Sequence, residues 1–130
     1  MKLHADRSDT PVVTAHGEGW IAIDGQRHEG DWVLSASGVR HPWRRGSDTP
    51  STEDFGALSQ TDPVPPELVI FGSGPRLIFP HPSALQQLMQ QGIGVETMDT
   101  PAACRTYNIL AAEGRRVVLA LLNPGGSGSV

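Results

Sequence analysis

The chain has 130 residues, a mass of 13.9 kDa and a formal net charge of −4, enough for one domain with a real core. The acidic balance argues against phosphate-backbone binding, so nucleic acid is not an expected partner. No apolar run reaches the length of a bilayer span, and one cysteine excludes an internal disulfide framework.

The N-terminal MKLHADRSD reads as neither a secretory signal nor a transit peptide, so a cytoplasmic protein without membrane insertion is expected. Residues 1–18 are polar apart from Val12-Val13 and read as an edge strand or an ordered arm. Gly19 to Ile23 is a strand candidate, Asp24-Gly25 is a hairpin turn signal, and Gln26 to Leu34 is the returning strand. That hairpin carries Trp20 on one side and Trp32 on the other, and suits a layer covering a sheet. Ala36-Ser37-Gly38 makes another turn into Val39–Arg45, which contains a concentrated basic-aromatic patch, Arg40 to Arg45 with Trp43.

Gly46 to Pro50 reads as loop, and Thr52 caps a short helix near residues 53–60. Asp62-Pro63-Val64-Pro65-Pro66 forbids regular structure and leads into Glu67–Phe71, a buried strand ending in Gly72-Ser73-Gly74. Leu77-Ile78-Phe79 is expected to be a further extended piece, and Pro82 opens a helix over 82–91. The most strongly marked stretch follows, Gly92 to Leu122. Its strand around 93–98 meets Asp99-Thr100-Pro101, an oxygen-bearing cap with proline at the helix start. The helix 101–113 closes on Glu113-Gly114, and Val117–Leu122 is apolar on both faces, as a central strand should be. Residues 123–130 are Gly/Ser-rich and are expected to form a disordered tail outside a single domain spanning 1–122.

Strand–helix–strand–helix–strand after a β module specifies a layered α/β domain, with strands near 68–71 and 93–98 as parallel neighbours. The direction of the last strand does not follow from these residues.

GIGVETMDTPAACRTYNILAAEGRRVVLALL, with ELVIFGSGPRL upstream and the Asp-Gly hairpin before it, resembles a small-domain family of largely unknown function over residues 12–122. Its relatives include a mitochondrial complex I (NADH:ubiquinone oxidoreductase) assembly factor and an adipogenesis-associated protein. The resemblance implies a three-layer α/β sandwich with a mixed central sheet of about five strands, an extra β-hairpin layer, and main helices at 82–91 and 101–113. It places the last strand antiparallel to its neighbours, and it implies no reaction and no catalytic residue. With no transit peptide read in this chain, a bacterial, cytoplasmic member fits better than a mitochondrial one.

Several residues nonetheless invite chemistry. Gly72, Ser73 and Gly74 after a buried strand suggest a dinucleotide loop, with Glu96 where a ribose-binding acid would stand. Leu77 in the third glycine's place and the absence of a helix start favour a tight turn instead. Cys104 lies in the first turns of a helix beside Arg105, where the macrodipole favours a thiolate, with His81 as a conceivable base. Against that stands a small buried residue on an alanine-rich helix. Arg105 opposes the dipole and needs either an internal ion pair with Asp99 or Glu96, or an anionic ligand or partner carboxylate, with Ser73 and Asn108 as polar company. Trp43 with its arginines is a candidate protein contact. The five histidines lack metal spacing.

The resemblance, the weakly solvated helix 101–113 and the lack of a convincing catalytic set together favour a non-enzymatic binding or assembly-type module whose partner is another protein, with no cofactor and no metal. The competing reading is a small-molecule-binding domain or enzyme using a cleft between Gly72–Gly74 and Met98-Asp99, near Cys104 and Arg105. Homodimerisation through the outer face of helix 101–113 is compatible with either.

Overall fold

The computed structural model describes residues 9–44 and 49–124. Its first unit is a three-stranded antiparallel sheet of β1 (Val13–Gly17), β2 (Trp20–Ile23) and β3 (Gln26–Glu29). Asp24-Gly25 makes the expected hairpin turn, pairing Ile23 with Gln26 and Trp20 with Glu29. The returning strand is shorter than expected. It ends at Glu29, and after the turn at Gly30-Asp31 the chain leaves this sheet altogether.

The next strand, β4 (Trp32–Ser35), belongs to the central sheet. That sheet also holds β5 (Arg40–Pro42), β6 (Leu68–Gly72), β7 (Gly94–Met98) and β8 (Val117–Leu121), in the order β5-β4-β8-β6-β7. As expected, β6 and β7 run parallel, with Leu68 opposite Gly94. The last strand corrects the reading drawn from resemblance. β8 is parallel to β6 and antiparallel to β4, so only one of its two neighbours opposes it. Helix 100–112 returns the chain to the end where β6 begins, which makes β8 a second parallel crossover.

All five residues of β8 are buried, as their unbroken apolar run requires. Alternation divides them between two cores. Val117, Leu119 and Leu121 join Ile70, Leu34, Ile21 and Ile23 under the long helix α3 (Thr100–Ala112) and the three-stranded sheet. Val118 and Ala120 join Val69, Phe71, Phe55 and Leu88 on the other face. Two short helices close that face, α1 (Thr52–Gly56) and α2 (Gln86–Gln90). α1 is capped by Ser51 rather than Thr52: Ser51 Oγ accepts the Asp54 N–H while the Asp54 carboxylate accepts the Ser51 N–H. A 3-10 turn (Ala57–Gln60) follows it, and another (Pro82–Leu85) precedes α2, so the helix expected over 82–91 is half 3-10.

Leu77-Ile78-Phe79 forms no strand. Asn123 and Pro124 are held in the fold: Asn123 donates to Asp31 Oδ1 and to the Gly19 carbonyl, and Pro124 is buried. The folded body therefore reaches residue 124, and residues 1–8, 45–48 and 125–130 lie outside the described part.

Candidate functional site

β6 and β7 end together at one corner of the central sheet. β6 finishes in Gly72 because α3 starts against it: a Cβ there would lie 2.9 Å from Thr100 Oγ1 and 3.1 Å from Thr100 Cα. Thr100, fully buried, accepts the Gly74 N–H and donates its hydroxyl to the Leu122 carbonyl, both at 2.8 Å. Gly74 has φ +103°, so the Gly72-Ser73-Gly74 run is a tight turn, the bland alternative to a nucleotide loop. Ser73 Oγ lies 2.7 Å from the Arg76 carbonyl and 3.2 Å from the Met98 carbonyl, to either of which it can donate, and it accepts the Ile78 N–H at 2.9 Å. One buried serine thus holds the outgoing loop to the end of β7.

What this loop presents is apolar. Leu77, Ile78 and Phe79 are 51%, 59% and 70% exposed, on a segment whose backbone is anchored at its start by Ser73 and bounded by Pro80 and Pro82. Contiguous exposed apolar side chains on an anchored loop mark an interaction surface more often than isolated ones do. The sequence leads one to expect a further extended piece here, and the run forms no strand. Its flanks, Gly74-Pro75 before and Pro80-His81-Pro82 after, carried the signal that it lay outside a sheet.

The other expected site residues are scattered over the fold. Asp99 caps α3, its Oδ1 accepting the Ala102 N–H at 2.9 Å, and is not held by Arg105. Arg105 is exposed and forms no ion pair among the described residues; Glu96 is exposed too. The internal ion pair expected for Arg105 is therefore absent from the described residues, because Asp99 is engaged with the helix backbone. Cys104 is 2% exposed, and burial pushes its thiol up to about 12 against the opposing pull of the Arg105 charge. This fits the small buried residue weighed against the thiolate reading, since desolvation outweighs the Arg105 charge. His81 spends Nδ1 on Ser83 instead.

Asn108 lies away from the corner, on the side of α3 facing β1. Its Oδ1 accepts the Val13 N–H at 3.0 Å and its Nδ2 donates to the Val13 carbonyl at 2.8 Å. One residue earlier on α3, the buried Tyr107 donates its hydroxyl to the Pro11 carbonyl at 2.8 Å, and burial raises its pKa. Trp43 packs largely inward. It is half-buried against Phe55 and Phe71, with ring centroids 5.6 and 5.9 Å away, and its indole N–H donates to the Asp54 carbonyl. Arg44 beside it is drawn inward by Asp31 at 2.8 Å and Asp54 at 3.3 Å, leaving 7% of its side chain exposed. The basic-aromatic patch is thus partly turned into the core, because two carboxylates from other segments satisfy the guanidinium.

The expected cleft between Gly72–Gly74 and Met98-Asp99 is filled by the hydrogen bonds just described. A concavity of about 690 Å³ exists elsewhere, between residues 9–12, the 62–64 loop and the C-terminal end of α3. Ser35 and Ser37 both reach Asp62 Oδ1 at its rim, at 3.1 and 2.6 Å. Among the described residues, no cluster of His, Cys, Asp or Glu has the arrangement of a metal site. No helix among them is long and apolar enough to cross a membrane.

A mixed five-stranded sheet, with one long helix and a three-stranded cover on one face and short helices on the other, defines an α/β module of the Mth938-like kind. The chain belongs to the family described as "Protein of unknown function (DUF498/DUF598)", whose model matches residues 13–122. Among curated proteins it is similar to NADH dehydrogenase (ubiquinone) 1 alpha subcomplex assembly factor 3. The Mus musculus protein is 36% identical over 124 residues, 95% of this chain and 66% of that one. The Homo sapiens protein is 33% identical over 128 residues, 98% of this chain and 69% of that one, so the chain spans about two thirds of these relatives. Among solved structures, a Bordetella parapertussis protein is 36% identical with a TM-score of 0.80, over 88% of this chain and 96% of that one. A Xanthomonas campestris protein is 29% identical with a TM-score of 0.76, over 100% of this chain and 98% of that one.

Proposed function

We propose that the chain is a non-enzymatic, assembly-factor-like module that binds another protein through the corner formed by the Leu77–Phe79 loop. The observation that carries this is the anchored apolar ridge itself: three large side chains held in water by a loop whose serine is fully engaged. Burying the exposed half to two thirds of such side chains favours a complex by roughly 1–2 kcal/mol each before the entropy lost on association. Similarity to assembly factors of NADH dehydrogenase makes a subunit of that oxidoreductase the first partner to try. A cytoplasmic location is part of the proposal, and fractionation of the host checks it.

The test is co-purification of tagged protein with oxidoreductase subunits from its host, beside an Ile78→Asp, Phe79→Asp double variant. The wild type should retain subunits and the folded double variant should lose them. Equal retention by both would sink the proposal. The small-molecule alternative has the 690 Å³ concavity in its favour, and ligand co-purifying with the double variant would support it.

A further inference from the structure

The open edges of the two sheets differ in how they are protected. β5 is three residues long and ends in Pro42, which cannot donate to a ladder. β1 breaks register between Val13 and Ala15, and its Val13 N–H and carbonyl are taken by Asn108. β3 is Gln26-Arg27-His28-Glu29, polar throughout. β7 has none of these devices. It runs five residues in unbroken register along β6, without proline, lysine or bulge, in the sequence Gly94-Val95-Glu96-Thr97-Met98.

The phase of its hydrogen bonds follows from the two ends. The Gly94 N–H donates to the Glu67 carbonyl at 3.3 Å, and the Ser73 N–H donates to the Met98 carbonyl at 2.8 Å. Backbone groups alternate sides along a strand, so Gly94, Glu96 and Met98 face β6. The N–H and C=O of Val95 and Thr97 therefore face outward, and no described residue lies on that side of the sheet as a strand partner. Val95, Thr97 and Met98 are only half-buried, as the outermost strand's side chains are when one flank is missing. Ser73 ties this same strand end to the apolar loop, so the open edge and the ridge share a corner.

We infer that β7 is a strand-addition site, and that its occupant is an extended segment of a different protein carrying a lysine or arginine opposite Glu96. The inference rests on the protein-binding reading above and names its mode. The charge argument selects the occupant. Glu96 is exposed and has no ion pair among the described residues. In a two-fold pairing of β7 with a second copy, the register that uses Val95 and Thr97 of both chains sets Glu96 against Glu96. Those side chains would meet with Cβ atoms about 5 Å apart, where like charges repel and opposite charges attract. A heterologous strand with a basic residue relieves this; a second copy does not.

The probe is an acetylated, amidated Thr-Val-Lys-Val-Thr peptide titrated into the 15N-labelled full chain and followed by amide NMR shifts. Saturable shifts should centre on Val95, Glu96 and Thr97. Thr97→Pro removes an outward donor without touching the β6 ladder, and should weaken binding by about fivefold or more. Glu96→Lys, which leaves the backbone intact, should reverse the preference for this peptide over one with Glu in place of Lys, by about threefold each way.

Shifts centred elsewhere, no shifts at millimolar peptide, or equal binding by folded Thr97→Pro would overturn the inference. So would concentration-dependent protection of the Val95 and Thr97 amides in the protein alone, since that assigns the edge to a second copy. Loss of peptide binding with oxidoreductase subunits still retained refutes the edge alone. Peptide binding without subunit retention refutes the wider function alone.

Discussion

Asn108 distinguishes a ligand-binding reading of α3 from a structural one, and its replacement has a calculable effect. The side-chain amide makes two hydrogen bonds, at 3.0 and 2.8 Å, to both backbone groups of Val13, 95 residues away in sequence. Asn108→Ala removes both at once. Each bond contributes about 1 kcal/mol net, and leaving half-buried backbone groups unpaired adds to the loss, so roughly 2–3 kcal/mol of stability should disappear. For a domain of this size that lowers Tm by roughly 6–15 °C. Urea unfolding followed by tryptophan fluorescence measures it, with an unchanged slope showing that the native state stays compact. Asn108→Asp should not rescue: its carboxylate still accepts the Val13 N–H but sets a charge against the Val13 carbonyl. A loss under about 0.5 kcal/mol for Asn108→Ala, with β1 still in place, would refute the clamp and restore the ligand reading.

Cys104, buried and with its thiol pushed up to about 12, should react with a maleimide at pH 7.5 far more slowly than a free thiol, and at the free-thiol rate in urea; fast labelling of the native chain would refute its burial. Burial alone would push the Asp54 carboxyl up, but the Ser51 N–H and hydroxyl and the Arg44 guanidinium outweigh it and hold it below the usual carboxylate range. A depressed folded value means the contribution is present above the unfolded pKa, near 4, and is lost as pH falls through the folded value. Asp54→Asn should therefore flatten the decline of stability below about pH 4, and a variant with the same acid limb as wild type would contradict this.

Local chemistry decided much of the architecture. Asp99 and Pro101 mark the start of α3, and the apolar run Val117–Leu121 cannot avoid burial on two faces, so both were readable from neighbouring residues. Asp24-Gly25 likewise dictates its hairpin, because few residues other than glycine, asparagine and aspartate accept the turn's positive φ. The direction of β8, by contrast, depends on which end of the sheet α3 returns to, and its two neighbours answer differently, parallel on β6 and antiparallel on β4.

The candidate site was legible only as a collection of residue types. Whether Arg44 points to solvent or to Asp31 and Asp54, and whether Asn108 meets a ligand or Val13, turns on partners 10 to 95 residues away. Leu77-Ile78-Phe79 reads as an extended piece, and only the tertiary arrangement shows it as an exposed loop, because Ser73 pins it to the end of β7. Periodicity and caps act over a few residues and so survive in sequence. Solvent exposure and hydrogen-bond partnership are set by chain segments that meet only after folding.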